Sequence, residues 1–212
     1  MTGADAQAYL DLADWRRRVG DLYRLRGDNA LAEFRRGRDE LFRTHPQSPI
    51  EPDERAGFNG LQYFEPDPSY RVSATLEPGD GTELVIDSGG ADGAIRYQRA
   101  GTLVFKLSHQ ECRLTVLSLV QYAGGLFVPF RDMTSGHETY GGGRYLFDTA
   151  KNTDGLVLDL KAGSPEVMLD FNYAYNASCA YSSRWACPLA PRENQLPVAV
   201  RAGELAYKHQ TA

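Results

Sequence analysis

Apolar side chains in the first part of the chain recur every three or four residues, which is the spacing of one helical face. Between residues 5 and 26 these positions are Tyr9, Leu12, Trp15, Val19, Leu22 and Tyr23. After a break at residues 27–29 the spacing resumes at Leu31, Phe34, Arg38, Leu41 and Phe42. It stops before Pro46, because a proline disfavours the helical region for the residue that precedes it. The pattern predicts a helical hairpin over residues 1–45, with four side chains on its buried faces: Trp15, Leu22, Phe34 and Phe42.

Residues 57–210 follow a different pattern, in which apolar and polar positions alternate as they do in β-strands with one buried face. The strand-like runs are 70–76, 103–107, 112–116, 126–130, 156–160, 167–171 and 198–200. Turn signals rich in glycine separate them at 78–81, 88–90, 123–125, 153–155 and 162–164. No long helical pattern lies between the runs. About eight to ten short strands at this spacing predict an antiparallel barrel or sandwich, with a split barrel as one form of it.

The charge of the chain bears on its partners. The predicted hairpin holds nine arginines between Arg16 and Arg43, but eight acids among residues 1–43 offset them, and the 212-residue chain carries a net charge of −5. We therefore expect a solvated helical face with salt bridges and no nucleic-acid partner. No run approaches the ~18 apolar residues of a transmembrane helix, so we expect no membrane partner either. The sequence is also compatible with a homodimer.

The N-terminal residues contain acids and no apolar run, so they do not resemble an export signal. Three cysteines are few for a disulfide scaffold, and the number is odd. The two features predict a soluble, cytoplasmic protein with reduced thiols.

One segment with candidate chemistry begins at His137, Glu138, Thr139 and Tyr140 and continues through three glycines to Arg144. Glycines let a ligand approach the main chain, where exposed amides can hold an anion. Arg144 could then grip a phosphate or carboxylate with two parallel hydrogen bonds. The alternative is a glycine-rich turn or bulge in which Arg144 belongs to a structural ion pair. Arg131-Asp132, just after a predicted strand, either lines the same site or forms a local salt bridge.

A second segment, residues 170–194, concentrates Tyr, Asn, Cys and Trp. Its candidate ligand-binding side chains are Asp170, Asn172, Tyr175 and Asn176. Polar groups are costly to bury alone, so we expect the two segments to share one pocket at the barrel mouth, with Gly142 and Arg144 in it. Cys179 and Cys187 lack a zinc-like spacing, so we expect no metal and two packed thiols in one compact loop.

These segments resemble a bacterial and archaeal family of unknown function. The resemblance rests on residues 42–49, 58–64, 138–146 and 170–204, and above all on residues 139–145 with 179–181 and 187–194. It implies no settled activity.

The function that we predict is the binding of a small anionic molecule by the polar pocket. An enzyme in the same pocket is the alternative: a flavin-dependent oxidoreductase with FMN on Arg144 and Thr139, or a hydrolase. In the hydrolase, Glu138 or Asp170 would be the base and His137 the acid. A structural protein that docks through the helical hairpin is the third hypothesis.

Overall fold

The computed structural model of the chain describes residues 3–89, 93–120, 124–155, 157–160 and 163–207. Four predicted strand or turn positions lie outside these ranges, namely Gly90, Ala123, Leu156 and Ala162, as do the last residues of the predicted β region, 208–210. Within the described ranges, two α-helices precede nine strands. The predicted class is confirmed: the protein is mainly antiparallel β, forming a half-barrel, with a helical hairpin at its start.

The hairpin consists of α1, Gly3–Leu22, and α2, Ala30–Thr44. Gly27 allows the turn between them, since its φ of +100° suits a residue without a Cβ. Helix α2 ends where Pro46 requires it, with His45 in an extended conformation. Neither helix in the described ranges combines the length and the apolar character that are needed to cross a membrane.

The strands, in chain order, are β1 Arg71–Pro78, β2 Glu83–Asp87, β3 Ala94–Leu107, β4 Gln110–Leu119, β5 Leu126–Phe130, β6 Arg144–Asp148, β7 Leu158–Leu160, β8 Glu166–Asp170 and β9 Tyr175–Asn176. They form one sheet in the order β7-β8-β1-β3-β4-β5-β6-β9, and β2 pairs with the far end of β3. Every pairing between them is antiparallel. Because β7 and β9 remain unpaired to one another in this order, the barrel is half closed.

The helical hairpin packs against the sheet through aromatic rings. Phe34 of α2 lies between Tyr23 of α1, at 4.8 Å between ring centroids, and Tyr173, at 4.9 Å. Phe42 packs on Tyr181 at 5.0 Å in a second, smaller cluster. The predicted inward faces are therefore correct: Phe34 and Phe42 are buried, and Trp15 and Leu22 are half-buried. The hairpin and the sheet share one hydrophobic core.

The run at residues 198–200 is not a strand, although both of its valines are buried as the alternation predicts. The main chain of this run forms hydrogen bonds with the turn after β5 and not with a neighbouring strand. Met133 donates from its N–H to the Val198 carbonyl at 3.1 Å, and the Val200 N–H donates to the Asp132 carboxylate at 3.2 Å. Alternating burial is thus a property of any extended chain lying on a core, with or without a sheet partner.

Candidate functional site

Arg144 begins β6 and is completely buried. One of its terminal nitrogens donates to the Asp132 carboxylate at 2.9 Å and to the Val200 carbonyl at 2.8 Å. The other donates to the carbonyls of Ala202 and Glu204. Burial lowers the pKa of Arg144, and the charge of Asp132 opposes that shift. Both terminal nitrogens of the guanidinium face protein acceptors, which is the arrangement of a structural ion pair, while its buried Nε has no acceptor among the described residues.

Asp132 joins this ion pair to the turn that follows β5. Its second oxygen accepts from the N–H of Thr134 at 2.8 Å and from the Thr134 hydroxyl at 2.6 Å. That hydroxyl lies 2.9 Å from the hydroxyl of Thr139, which is therefore buried and satisfied. The expected local salt bridge between Arg131 and Asp132 is wrong, because the carboxylate turns inward to the more deeply buried Arg144.

The two chemically unusual segments meet. We call residues 140–143 the glycine turn and residues 179–191 the cysteine loop. Arg144 pairs with Asn176 across β6 and β9, and the Tyr145 hydroxyl donates to the Pro188 carbonyl at 2.7 Å. The Tyr140 hydroxyl reaches the Cys179 sulfur at 3.5 Å.

Gly143 explains how closely the two segments approach. Its φ is +92°, and a Cβ at this position would lie 2.6 Å from the Phe130 carbonyl oxygen and 3.3 Å from the Ala190 Cβ. A Cβ on Gly142 would lie 3.0 Å from the Leu189 side chain. Glycine is therefore required at position 143 by its φ and by the Phe130 carbonyl, and it also keeps the turn close to the cysteine loop.

The other predicted site residues are spread over three places. His137 is exposed at a turn, and Glu138 forms a surface ion pair with Arg201 at 3.0 Å. Asp170 and Asn172 hold the loop at Asp67, where the Asn172 amide donates to the Asp67 carbonyl at 2.9 Å and to Asp170 at 2.9 Å.

Tyr175 and Asn176 lie in β9, beside Arg144. The Tyr175 hydroxyl is 3.0 Å from that of Thr153. The Asn176 amide donates to the Leu205 carbonyl at 2.7 Å, while its oxygen has no partner among the described residues. The glycine turn, Tyr175 and Asn176 thus come together around the ends of β6, and His137, Glu138, Asp170 and Asn172 do not join them.

A second buried ion pair was not predicted. Arg38 of α2 donates to the Glu204 carboxylate at 2.9 Å and to the Tyr63 hydroxyl at 3.2 Å. The Tyr181 hydroxyl donates to the other oxygen of Glu204, and the Asn176 N–H donates to this carboxylate at 3.2 Å. Burial raises the pKa of Glu204, and Arg38 opposes that rise. The sequence did contain a sign of this ion pair, because Arg38 stands at an apolar position of the predicted helical face.

Cys179 and Cys187 lie in one compact loop, as expected, and all three cysteines are free. The Cys179 N–H donates to the Cys187 sulfur at 3.3 Å. The described residues include no group of three or more His, Cys, Asp or Glu side chains that could hold a metal ion.

A groove of 460 Å³ lies on strands β1, β3 and β4, and no residue of the glycine turn lines it. Its lining residues are Val72, Ser73, Val104, Phe105, Lys106 and Glu111. None of them belongs to the predicted site, so this groove is not the polar pocket that we expected.

The fold and the residues around β6 define a class of protein: an antiparallel half-barrel with a helical hairpin, stabilised by two buried arginine–carboxylate pairs. The chain belongs to the family described as "Protein of unknown function (DUF1684)", whose model matches residues 56–205. This agrees with the resemblance to an uncharacterised family. No curated protein matches the chain.

A solved structure matches a larger share of the chain than the family model does. It is the solution NMR structure of an uncharacterised protein of Haloarcula marismortui, with 40% sequence identity and a TM-score of 0.62. The match covers 87% of this chain and 96% of that one. The two proteins therefore share a fold over nearly their whole length.

Proposed function

We propose that the protein binds a small anionic molecule where the glycine turn meets the cysteine loop, with Arg131 as the cation. The observation that carries the proposal is the state of the Arg131 side chain. It is half-buried, and it forms no salt bridge with any described residue. An arginine in this state leaves its charge available to a ligand.

Arg131 has a rigid support. Its N–H donates to the Asn194 carbonyl at 2.9 Å, and its own carbonyl accepts from the Leu196 N–H at 2.8 Å. The side chain runs alongside the glycine turn, since its Cγ is 3.0 Å from the position of a Cβ on Gly143. A cation on a fixed main chain loses little conformational entropy when it binds, which favours affinity.

The glycine turn supplies donors beside this cation. Gly141 is exposed and Gly142 is half-buried, and within the described ranges neither main-chain N–H donates a hydrogen bond. Two such amides next to a guanidinium complement the oxygens of a phosphate or a carboxylate. The Tyr140 hydroxyl, at the start of the turn, adds a further polar contact. Arg131 thereby takes the part that the sequence suggested for Arg144.

The test is a thermal-shift screen of the wild type and of Arg131→Gln. The ligands are inorganic phosphate, sugar phosphates, nucleotides, dicarboxylates and FMN. We expect at least one anion to raise the Tm of the wild type and to leave that of Arg131→Gln unchanged. Arg192→Gln is the matched control, because Arg192 is exposed and its replacement changes the net charge by the same amount. A response of Arg131→Gln equal to that of the wild type would contradict the proposal.

We also infer a cytoplasmic location. What supports it is that Cys112, Cys179 and Cys187 are all free thiols, although the last two contact each other in one loop and would pair readily in an oxidising compartment. Cell fractionation with thiol alkylation before lysis tests this inference. We expect recovery in the cytoplasmic fraction with three alkylated cysteines after unfolding, whereas recovery from the cell envelope would contradict it.

A further inference from the structure

The two cysteines of the cysteine loop contact each other in a way that packing alone does not require. The Cys187 sulfur accepts from the Cys179 N–H at 3.3 Å, so it lies within a few ångströms of the Cys179 side chain. The Cys179 sulfur in turn accepts from the Tyr140 hydroxyl at 3.5 Å. Three groups with labile protons are therefore arranged in a row: Tyr140, Cys179 and Cys187.

The loop that carries the two cysteines is anchored at its tip. The Trp185 indole N–H donates to the Pro49 carbonyl at 3.1 Å, and Arg184 pairs with Glu51 at 3.4 Å and donates to the Ser48 carbonyl at 2.9 Å. These contacts hold the loop on the segment that follows α2. The separation of the two sulfurs is thus set by the fold and not by chance encounters in a mobile loop.

We propose that Cys179 and Cys187 are a redox-active dithiol that reduces a small hydroperoxide and closes to an intramolecular disulfide. Cys187 is the nucleophile and Cys179 the resolving thiol. The proposal shares the Tyr140 hydroxyl with the anion site but does not require that an anion binds, since neither Arg131 nor the amides of the glycine turn take part in the reaction.

The surroundings of Cys187 favour its thiolate. The Cys179 thiol and N–H donate to its sulfur, Lys151 adds a positive charge, and together they lower the pKa of Cys187 to about 6. The same hydrogen bond raises the pKa of Cys179, so the pair retains one proton on Cys179 at neutral pH. Other titratable groups nearby are the Tyr140 and Tyr145 hydroxyls, whose pKa values burial raises, and Asp148, which pairs with Lys151 at 3.1 Å. The charge of Arg131 acts on Tyr140, and Tyr175 acts on Tyr145.

The proposed reaction has two steps. The Cys187 thiolate attacks the terminal oxygen of the hydroperoxide ROOH, the O–O bond breaks, and the leaving alkoxide takes a proton to become ROH. Cys187 is then a sulfenic acid. The Cys179 sulfur attacks the Cys187 sulfur, the S–S bond forms, and the displaced hydroxide leaves as water with the thiol proton. Two thiols lose two electrons, and the peroxide gains them. A small-molecule thiol then reduces the disulfide by exchange.

Burial restricts which peroxides can react. Only 8% of Cys187 is exposed, whereas Cys179 is half-buried. Hydrogen peroxide is close to water in size and can reach such a sulfur, while bulky hydroperoxides and bulky maleimides are disfavoured. Tyr140 acts as a positioning residue, because its hydroxyl touches Cys179 and not the sulfur that reacts first.

The experiment treats the full chain with hydrogen peroxide and follows its mass. The wild type should lose two hydrogen atoms as Cys179 and Cys187 join. Cys179→Ser should instead stop at the sulfenic acid, which a cyclic 1,3-dione traps, and Cys187→Ser should not react at the same peroxide concentration. Cys112→Ala is the control, because Cys112 is buried in the core, and it should oxidise at the rate of the wild type.

The pH profile of the oxidation rate separates chemistry from packing. The rate should rise through a midpoint well below that of an ordinary thiol. Tyr140→Phe should raise the midpoint, since it removes a donor to the thiol–thiolate pair, and a purely structural tyrosine would leave the midpoint unchanged. The proposal is overturned if no Cys179–Cys187 disulfide forms, if Cys187→Ser oxidises like the wild type, or if folded Cys112→Ala fails to react.

Discussion

Two arginines flank the connection between β5 and β6, and their environments are opposite. Arg144 pairs in register with Phe130, and both side chains face the core and are fully buried. Arg131 is the next residue after Phe130, just beyond the end of β5, and it is half-buried. Arg144 has a carboxylate at 2.9 Å, whereas Arg131 has no acid partner among the described residues.

The comparison shows that the type of residue does not distinguish a structural cation from a binding cation. What distinguishes them is the supply of acceptors within the fold. A buried guanidinium must be satisfied by the protein, and it is then unavailable to a ligand. The following predictions compare the two classes by the free energy of unfolding.

Arg144→Ala should have the largest effect. It leaves the Asp132 carboxylate buried without its cation, which typically costs about 3–5 kcal/mol. Urea denaturation followed by circular dichroism measures the loss, and Arg131→Ala is the matched control. If Arg144→Ala unfolds with the same free energy as the wild type and no longer responds to an anion, the roles that we assign to the two arginines are reversed.

Arg38→Met should rank second, with a loss of about 3 kcal/mol at neutral pH, because Glu204 then remains buried without its ion-pair partner. The loss should depend on pH. Burial raises the pKa of Glu204 in the folded state above its unfolded value, so the protonated form is favoured by folding. The penalty should therefore be full above the folded pKa and shrink as the pH falls below it. A penalty that is constant with pH would show that Glu204 is not the source.

Gly143→Ala should cost about 1–3 kcal/mol, because alanine at a φ of +92° is strained and its Cβ would meet the Phe130 carbonyl. Gly141→Ala is the control within the same turn. A Cβ there would lie 3.6 Å from Gly136, an ordinary contact, so its effect should stay within ~0.5 kcal/mol. Equal effects of the two changes would mean that a side chain at position 143 meets neither the strain nor the Phe130 contact that the structure indicates.

Arg131→Gln should have the smallest effect, within ~0.5 kcal/mol, because the side chain has no acid partner among the described residues to lose. The same purified variant serves in the thermal-shift screen. Its loss of an anion response at unchanged stability would sharpen the contrast with Arg144, whereas a large loss of stability would place Arg131 in the structural class as well.

Most of the sheet could be predicted, because a strand with one buried face shows an alternation of apolar and polar residues in its sequence. Strand β5 has the predicted bounds, and the predicted runs in β3 and β4 alternate between buried and more exposed positions as expected. In β1 the expectation is wrong at one end, because Leu76, predicted to face inward, is exposed. Strand β6 was not predicted as a strand, because all five of its residues are buried and it has no exposed face to set up an alternation. The cysteine loop covers the face that would otherwise be exposed, through the contact of Tyr145 with Pro188.

The candidate site was harder to predict than the sheet. That the two unusual segments would be close followed from the cost of burying their polar groups, and the Tyr140–Cys179 contact agrees with it. The partner of Arg144 did not follow, because Asp132 lies 12 residues away along the chain and had a nearer arginine beside it. The periodicity of apolar residues shows which face of a helix or strand is buried. It does not show which carboxylate will pair with a given arginine.

The ion pair of Arg38 with Glu204 spans 166 residues of chain and has a consequence for biosynthesis. At ~5–20 residues per second, the ribosome adds Glu204 roughly 8–33 s after Arg38. Until then the nascent hairpin presents an uncompensated charge on its apolar face, which opposes premature docking onto a partial sheet. We therefore expect the helical hairpin to dock stably on the sheet only after Glu204 has been made.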